Sequence, residues 1–313
     1  MPSNQSPLGA LPARFRRERL LIVGYGDVGQ RVARLLATAT VAQRRVRIMV
    51  LNREIARTQA LRVQSVQPLL GDLDQAGSLK RLAGIASRVL HLAPPAVLAQ
   101  IDGPNDPRTT ALMRALRLRK LPSSLVYAST TGVYGDCRGE WVTEARAVAP
   151  ATARGQRRVG AEHAIRFAGR SGLSASILRI PGIYAPDREG GTPRARLLRG
   201  TPVLQASDDV YTNHIHADDL ARACLKALWQ GKPQRVYHAS DDTVLKMGDY
   251  FDLAADLYGM PRPQRISRAQ AESELPATLL SFMSESRLLS NRRLKQELRL
   301  QLRYPTVAEG LRE

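Results

Sequence analysis

Residues 20–36, LLIVGYGDVGQRVARLL, place three glycines, Gly24, Gly26 and Gly29, at G-x-G-x-x-G spacing between an apolar run and a segment of helical period. In that context Gly24 makes a tight turn, Gly26 lets backbone approach a pyrophosphate, and Gly29 lets helix and strand pack closely. A dinucleotide would then rest its phosphates on the helix N-terminus, with Tyr25, Asp27 and Val28 completing the loop. A purely structural turn is the alternative. The next apolar run ends VLNREIAR, where Asn52 and Arg53 occupy the place of the carboxylate that would hold an unphosphorylated ribose. Arg53, with Arg57 one turn on, suits the 2′-phosphate of NADP(H), the expected cofactor. NAD(H) stays open if both arginines face solvent and Glu54 contacts the ribose.

A second constellation lies in residues 150–166, PATARGQRRVGAEHAIR. Ala161, Ala164, Ile165 and Ala168 recur at i, i+3, i+4 and i+7, which predicts an amphipathic helix. Arg154, Arg157 and Arg158 crowd its first turns, where the helix macrodipole favours anions over cations. Either these side chains face an anionic ligand or they are solvated. Tyr134, in TTGVYGD, stands just past the fifth apolar run and is the leading candidate proton donor, with Thr130 or Thr131 orienting a carbonyl; a substrate-lining or packing role is the alternative. Further along, Arg194, Arg196, Arg199 and Arg287 suit an anionic small-molecule substrate, and Arg154, Arg194 and Arg287 are assigned to it. His214 and His216 share one strand face with Asp219 behind them; with no third close ligand, no metal site is expected.

These residues need elements to hold them. Apolar runs at 20–23, 46–51, 66–70, 88–92, 124–128, 174–180 and 235–239 alternate with helical patterns such as Val28, Val32, Leu35 and Leu36. Repeated βαβ units of this kind predict a Rossmann-type, doubly wound parallel sheet with helices on both faces. The expected organisation is a flexible leader over 1–18 and a nucleotide-binding domain over 19–181 plus about 211–239. A smaller mixed substrate lobe would take about 182–210 plus 240–313.

Composition narrows the class. The 313 residues are 43% hydrophobic and 24% charged, enough for a large core. No run approaches a membrane span and the N-terminus lacks a secretory pattern, so a cytoplasmic protein without membrane association is expected. Cys137 and Cys224 are too few for a disulfide framework or a thiolate metal site and read as reduced. The formal charge of +19 is spread along the chain, with only Arg14, Arg16, Arg17 and Arg19 and then Arg292, Arg293 and Lys295 approaching clusters. With 5% aromatic residues to stack on bases, nucleic acid is not the expected partner. A homodimer is left open.

GYGDVGQ, GDLD at 71–74, HLAPP at 91–95, YASTTGVYGD at 127–136, ILRIPGIYAP at 177–186, NHIHADDLARA at 213–223 and SNRRL at 290–294 together resemble an extended or atypical short-chain dehydrogenase/reductase of the nucleotide-sugar epimerase/dehydratase group. The resemblance runs from about Arg19 over nearly the whole chain. It implies that Asp72 and Leu73 flank the adenine and that Leu92, Ala93 and Pro94 line the cofactor ribose. By the same resemblance Thr130 takes the catalytic Ser/Thr position, and Pro181, Gly182 and Ile183 lie near the nicotinamide.

The chain departs from that group where its chemistry is done. The Tyr-x-x-x-Lys pair at the head of the 150–166 helix is replaced by Arg154 and Arg158. A guanidinium stays charged at accessible pH and cannot serve as the general base, although Arg158 can still hold ribose or phosphate. Two functions follow from the sequence. One is an NAD(P)-dependent oxidoreductase or epimerase-like enzyme using Thr130 and Tyr134. The other is a nonenzymatic NADP(H)-binding regulatory or redox-sensing protein.

Overall fold

The computed structural model describes residues 18–38, 46–96 and 104–312. The expected leader, apart from its last residue, lies outside the described residues. Every apolar run read from the sequence forms a strand of one parallel sheet: β1 (Arg19–Val23), β2 (Arg47–Asn52), β3 (Gln67–Leu70), β4 (Arg88–His91), β5 (Ser124–Thr130), β6 (Ala175–Ile180) and β7 (Arg235–His238). Their spatial order is β3-β2-β1-β4-β5-β6-β7, parallel throughout. The order reverses between β1 and β4. Open sheets of this class bind ligands in the crevice at the carboxyl ends of the strands beside such a switch point.

Both faces are covered, which is why the strands read as unbroken apolar runs. On one face Leu20, Ile22, Leu90 and Val126 pack with Val32 of α1 (Asp27–Thr38), Leu61 of α2 (Thr58–Val63) and Leu220 and Cys224 of α6 (Ala217–Gln230). On the other, Leu21, Val23, Val89 and Leu125 meet Leu112 of α3 (Pro107–Leu116) and Ala161 and Ile165 of α4 (Ala153–Gly169). Both helices on this second face have polar starts. Asp106 accepts from the amides of Arg108 and Thr109 ahead of α3, and Thr152 Oγ1 accepts from Gly155 N at 3.1 Å ahead of α4.

A separate apolar cluster joins Tyr184 to Leu197 of the short helix α5 (Arg194–Leu198), to Val203 and Val210, and to Met247, Tyr250 and Phe251 of α7 (Met247–Tyr258). The buried Asp219 carboxylate accepts from the amides of Arg303 and Tyr304, tying the C-terminal segment to α6. Cys137 and Cys224 are buried and free. Among the described residues no helix is long and apolar enough to cross a membrane.

Candidate active site

The segments that leave β1, β4, β5 and β6 border one groove in three connected sections. The first section, at the ends of β1 to β3, is lined by Gly24, Tyr25, Gly26, Asn52, Arg53, Arg57, Asp72, Leu73, Ala93 and Pro94. The middle section shares Gly24, Gly26 and Pro94 with it and adds Asp27, Val28, Gly29, Leu92, Thr130, Arg158, Pro181 and Ile183. The last, a cavity of ≈ 470 Å³, shares Thr130, Arg158 and Pro181 with the middle one and adds Thr131, Arg154, Gly182 and Arg287. Gly182, expected beside the nicotinamide, thus opens on the last section rather than the middle one.

The glycine loop fits a dinucleotide on its own geometry. Gly24 has φ +98° and a Cβ there would stand 2.5 Å from Ala93 N, so the turn admits only glycine. At Gly29 a Cβ would lie 2.9 Å from the Gly24 carbonyl and 3.4 Å from Ile22 Cγ2, the contact that seats α1 on β1. Gly26 differs: a Cβ there would meet nothing within 4 Å, because that position faces the open groove. Asp27, the first residue of α1, is bound by Arg31 Nε at 3.0 Å and Arg188 Nη1 at 2.7 Å. Its carboxylate is thereby countered, and Arg188, which sequence reading passed over, brings a second cation to the loop.

Arg53 is 65% exposed and only loosely paired with Glu54, at 3.7 Å. Asn52 turns inward and accepts from Glu54 N at 3.3 Å, shaping the strand end. Arg108 also reaches this section; its ion pair with Asp74 holds that carboxyl below the usual carboxylate range.

At the head of α4, Arg158 Nη1 donates to the Ala128 carbonyl at 2.6 Å and to Tyr127 Oη at 3.2 Å, tying the helix to the end of β5. Arg154 is exposed at the mouth of the cavity, its guanidinium 5.0 Å from the centre of the Phe282 ring. Both side chains face the groove, so the helix-start cations do look onto a ligand-sized space, while Arg157 does not line it.

Two expectations require correction. Tyr134 is not at the groove. The turn Thr131–Tyr134 winds its ring back into the core, where it is buried and its hydroxyl meets Arg179 Nη1 at 2.7 Å and His238 Nε2 at 2.6 Å. His238 Nδ1 donates to the Ser290 carbonyl at 3.0 Å, and burial drives the imidazole pKa down to about 3, so Nε2 accepts from the tyrosine hydroxyl. Behind it, Glu162 pairs with Arg179 at 2.7 Å, both 3% exposed, and accepts from Ser129 Oγ at 2.7 Å. Tyr134 is thus a joint in a buried polar network. Tyr134→Phe should cost roughly 1–3 kcal/mol of stability through the stranded Arg179 and His238 atoms. Any turnover should change no more than a few-fold, as chemical denaturation and assay of the same sample would show.

Arg194 is the second correction. It is exposed and stacks 4.3 Å from the centre of the Tyr258 ring, away from the cavity. Arg196 lines the cavity instead, because two residues on a helix stand about 200° apart around its axis. Sequence reading also missed Glu285. A methyl group on Gly132 would lie 3.8 Å from Thr130 Oγ1 and 4.0 Å from Glu285 Oε2, so the two side chains flank the same point of the cavity. Arg287 donates to Glu285 Oε2 through both Nη atoms at 2.9 Å. No group of metal-binding side chains occurs among the described residues, and His214 and His216 pack against Tyr184 at ring-centre distances of 6.3 and 5.3 Å.

The model of the NAD dependent epimerase/dehydratase family matches residues 20–239. The chain belongs to that family. Among solved structures, a functionally unknown conserved protein from Silicibacter pomeroyi is 27% identical, with 94% of this chain and 97% of that one covered at a TM-score of 0.74. A dTDP-glucose 4,6-dehydratase from Streptomyces venezuelae, solved with NAD, is 21% identical over 94% of both chains at 0.73. A UDP-glucuronic acid 4-epimerase from Bacillus cereus, in complex with NAD, is 16% identical over 94% of this chain and 96% of that one at 0.73. At these identities the last two share its fold. No curated protein matches the chain. Within the family's fold, Arg154 and Arg158 stand where the resemblance puts tyrosine and lysine, and the groove meets them with Thr130 and Glu285 close by.

Proposed function

We propose that this chain is an NAD(P)-dependent oxidoreductase or epimerase/dehydratase-like enzyme that prefers NADP(H) and acts on a hydroxyl or carbonyl compound bearing negative charge. The observation that carries the proposal is the continuous groove. It leads from a glycine loop with an open Gly26 position, past Thr130, into a cavity bordered by Arg154, Arg158, Arg196 and Arg287. Gly24, Gly26 and the start of α1 would hold the pyrophosphate, with Arg188 nearby. Arg53 and Arg57 would hold a 2′-phosphate. When bound, the nicotinamide supplies or accepts a hydride.

The chain's own part is proton handling and orientation. The Thr130 hydroxyl accepts from Gly132 N at 3.3 Å, which leaves its hydrogen to donate to the substrate oxygen. Glu285, whose Oε2 flanks Thr130 and is held there by Arg287, takes the substrate's hydroxyl proton in the oxidative direction. The Arg154 and Arg158 guanidiniums take no proton; they bind and orient charge.

Cofactor choice is tested by titration calorimetry with both nucleotides. NADPH should bind more tightly than NADH, and Arg53→Ala should remove most of the difference, up to about 1.5–3 kcal/mol for a charged hydrogen bond. Equal affinities in the wild type would remove NADP(H) preference from the proposal.

A further inference from the structure

Polar atoms buried without a partner cluster in the cavity beyond Thr130. Arg196 Nε and Nη2, Thr212 Oγ1, His214 Nδ1 and Arg287 Nε are all buried without a hydrogen bond among the described residues, and all four residues line that cavity. Buried polar groups in folded proteins are nearly always paired, so such a concentration marks a place where a ligand completes the bonding.

Arg196 gives the ligand its charge and shape. Its guanidinium stacks 4.2 Å from the centre of the Phe251 ring, and burial together with neighbouring Arg199 brings its pKa down to about 10, leaving it charged at neutral pH. The unpartnered pair, Nε and Nη2, is the side-on edge of the guanidinium, two parallel N–H donors spaced to meet two oxygens of one oxyanion. Thr212 and His214 are two residues apart on one extended stretch and point the same way, as the alternation of side chains dictates. Buried at ring distance 4.2 Å from Tyr250, His214 has its pKa lowered to about 4, so it offers a neutral imidazole nitrogen.

The charge balance selects the class of oxyanion. Arg287 is matched by Glu285, Arg158 is engaged with the Ala128 carbonyl, and Arg154 lies exposed at the mouth. Arg158 keeps its charge but is bound at the helix start, so Arg196 is the cavity guanidinium whose Nε and Nη2 edge stays unpartnered, set against the ring face of Phe251, whose negative quadrupole opposes any excess negative charge. We infer that Arg196, Thr212 and His214 form a subsite for a carboxylate of the substrate, held side-on by Arg196, with a neighbouring hydroxyl or carbonyl oxygen on Thr212 and His214. This rests on reading the cavity as the substrate end of the groove, and it adds a class of substrate, an organic acid, to that reading.

Malonate is the probe, with phosphate, sulfate and chloride as comparisons at matched ionic strength. Calorimetry and thermal unfolding of the full chain should show malonate binding at a single site and raising Tm, with phosphate and sulfate at least tenfold weaker. Arg196→Met should weaken malonate at least tenfold, Thr212→Val should weaken it several-fold, and both variants should still unfold cooperatively in chloride. Phosphate or sulfate equal to malonate, and equally lost in Arg196→Met, would overturn the carboxylate in favour of a tetrahedral oxyanion. Malonate affinity unchanged in Arg196→Met, or no anion binding in the wild type, would overturn the subsite. NADPH titration of the same samples keeps the two readings apart: loss of nucleotide binding with malonate binding intact counts against the cofactor proposal, and the reverse against the subsite.

Discussion

Gly26→Val abolishes nucleotide binding and leaves the protein folded: that is the expected result, and it follows from the difference between three glycines five residues apart at most. A side chain at Gly24 or Gly29 would strike backbone at 2.5 or 2.9 Å and damage the fold itself. At position 26 it meets no protein atom within 4 Å and the backbone is outside the left-handed region, so Val can be accommodated in the free protein. Its branched side chain would then fill the space that a pyrophosphate must enter. Calorimetry with NADPH, beside a wild-type unfolding midpoint, checks both halves. A variant that binds NADPH with wild-type affinity would place the nucleotide elsewhere.

Glu285→Gln is expected to lower turnover by roughly 10²–10⁴-fold, the usual contribution of a positioned proton-transfer group, while NADPH affinity stays nearly unchanged. Gln keeps the size and can still accept from Arg287, so the loss would report proton transfer rather than collapse of the cavity. The same comparison with Tyr134→Phe separates the two candidates. A turnover loss confined to Tyr134→Phe, with Glu285→Gln active, would return the proton to the buried tyrosine and contradict the site described here.

The sheet was legible because strands buried on both faces read as apolar runs, as Leu20–Val23 of β1 and Ile48–Val50 of β2 do, while the edge strand β3 is only half-buried and still keeps its apolar Pro68–Leu70. The glycine loop was legible for a related reason: turn, approach and packing each demand glycine at fixed spacing. The cavity was harder. Arg194 and Arg196 are indistinguishable by composition, and the phase of a five-residue helix, set by Leu197 packing into the cluster around α7, decides which one faces the ligand. Tyr134 follows Thr130 closely in sequence, yet one tight turn sends it to Arg179 and His238. Glu285 comes to Thr130 because Leu288–Leu289 pairs with Trp141–Val142 and because Ser286 and Arg287 donate to Asp136 and Gly135, contacts across more than a hundred residues that no local pattern announces.

As proposed, nicotinamide-linked chemistry proceeds in this groove with Arg154 and Arg158 standing where the resemblance puts tyrosine and lysine. Its most direct test follows NADPH absorbance at 340 nm with the wild-type protein and a panel of 2-oxo acids and keto-sugar acids, each also run in reverse with NADP+ and the corresponding hydroxy acid. At least one carboxylate-bearing substrate is expected to drive NADPH oxidation, with that activity lost in Glu285→Gln and in the double variant Arg154→Tyr/Arg158→Lys. No oxidation or reduction across the panel by wild-type protein that binds NADPH, together with activity gained by the double variant, would contradict it.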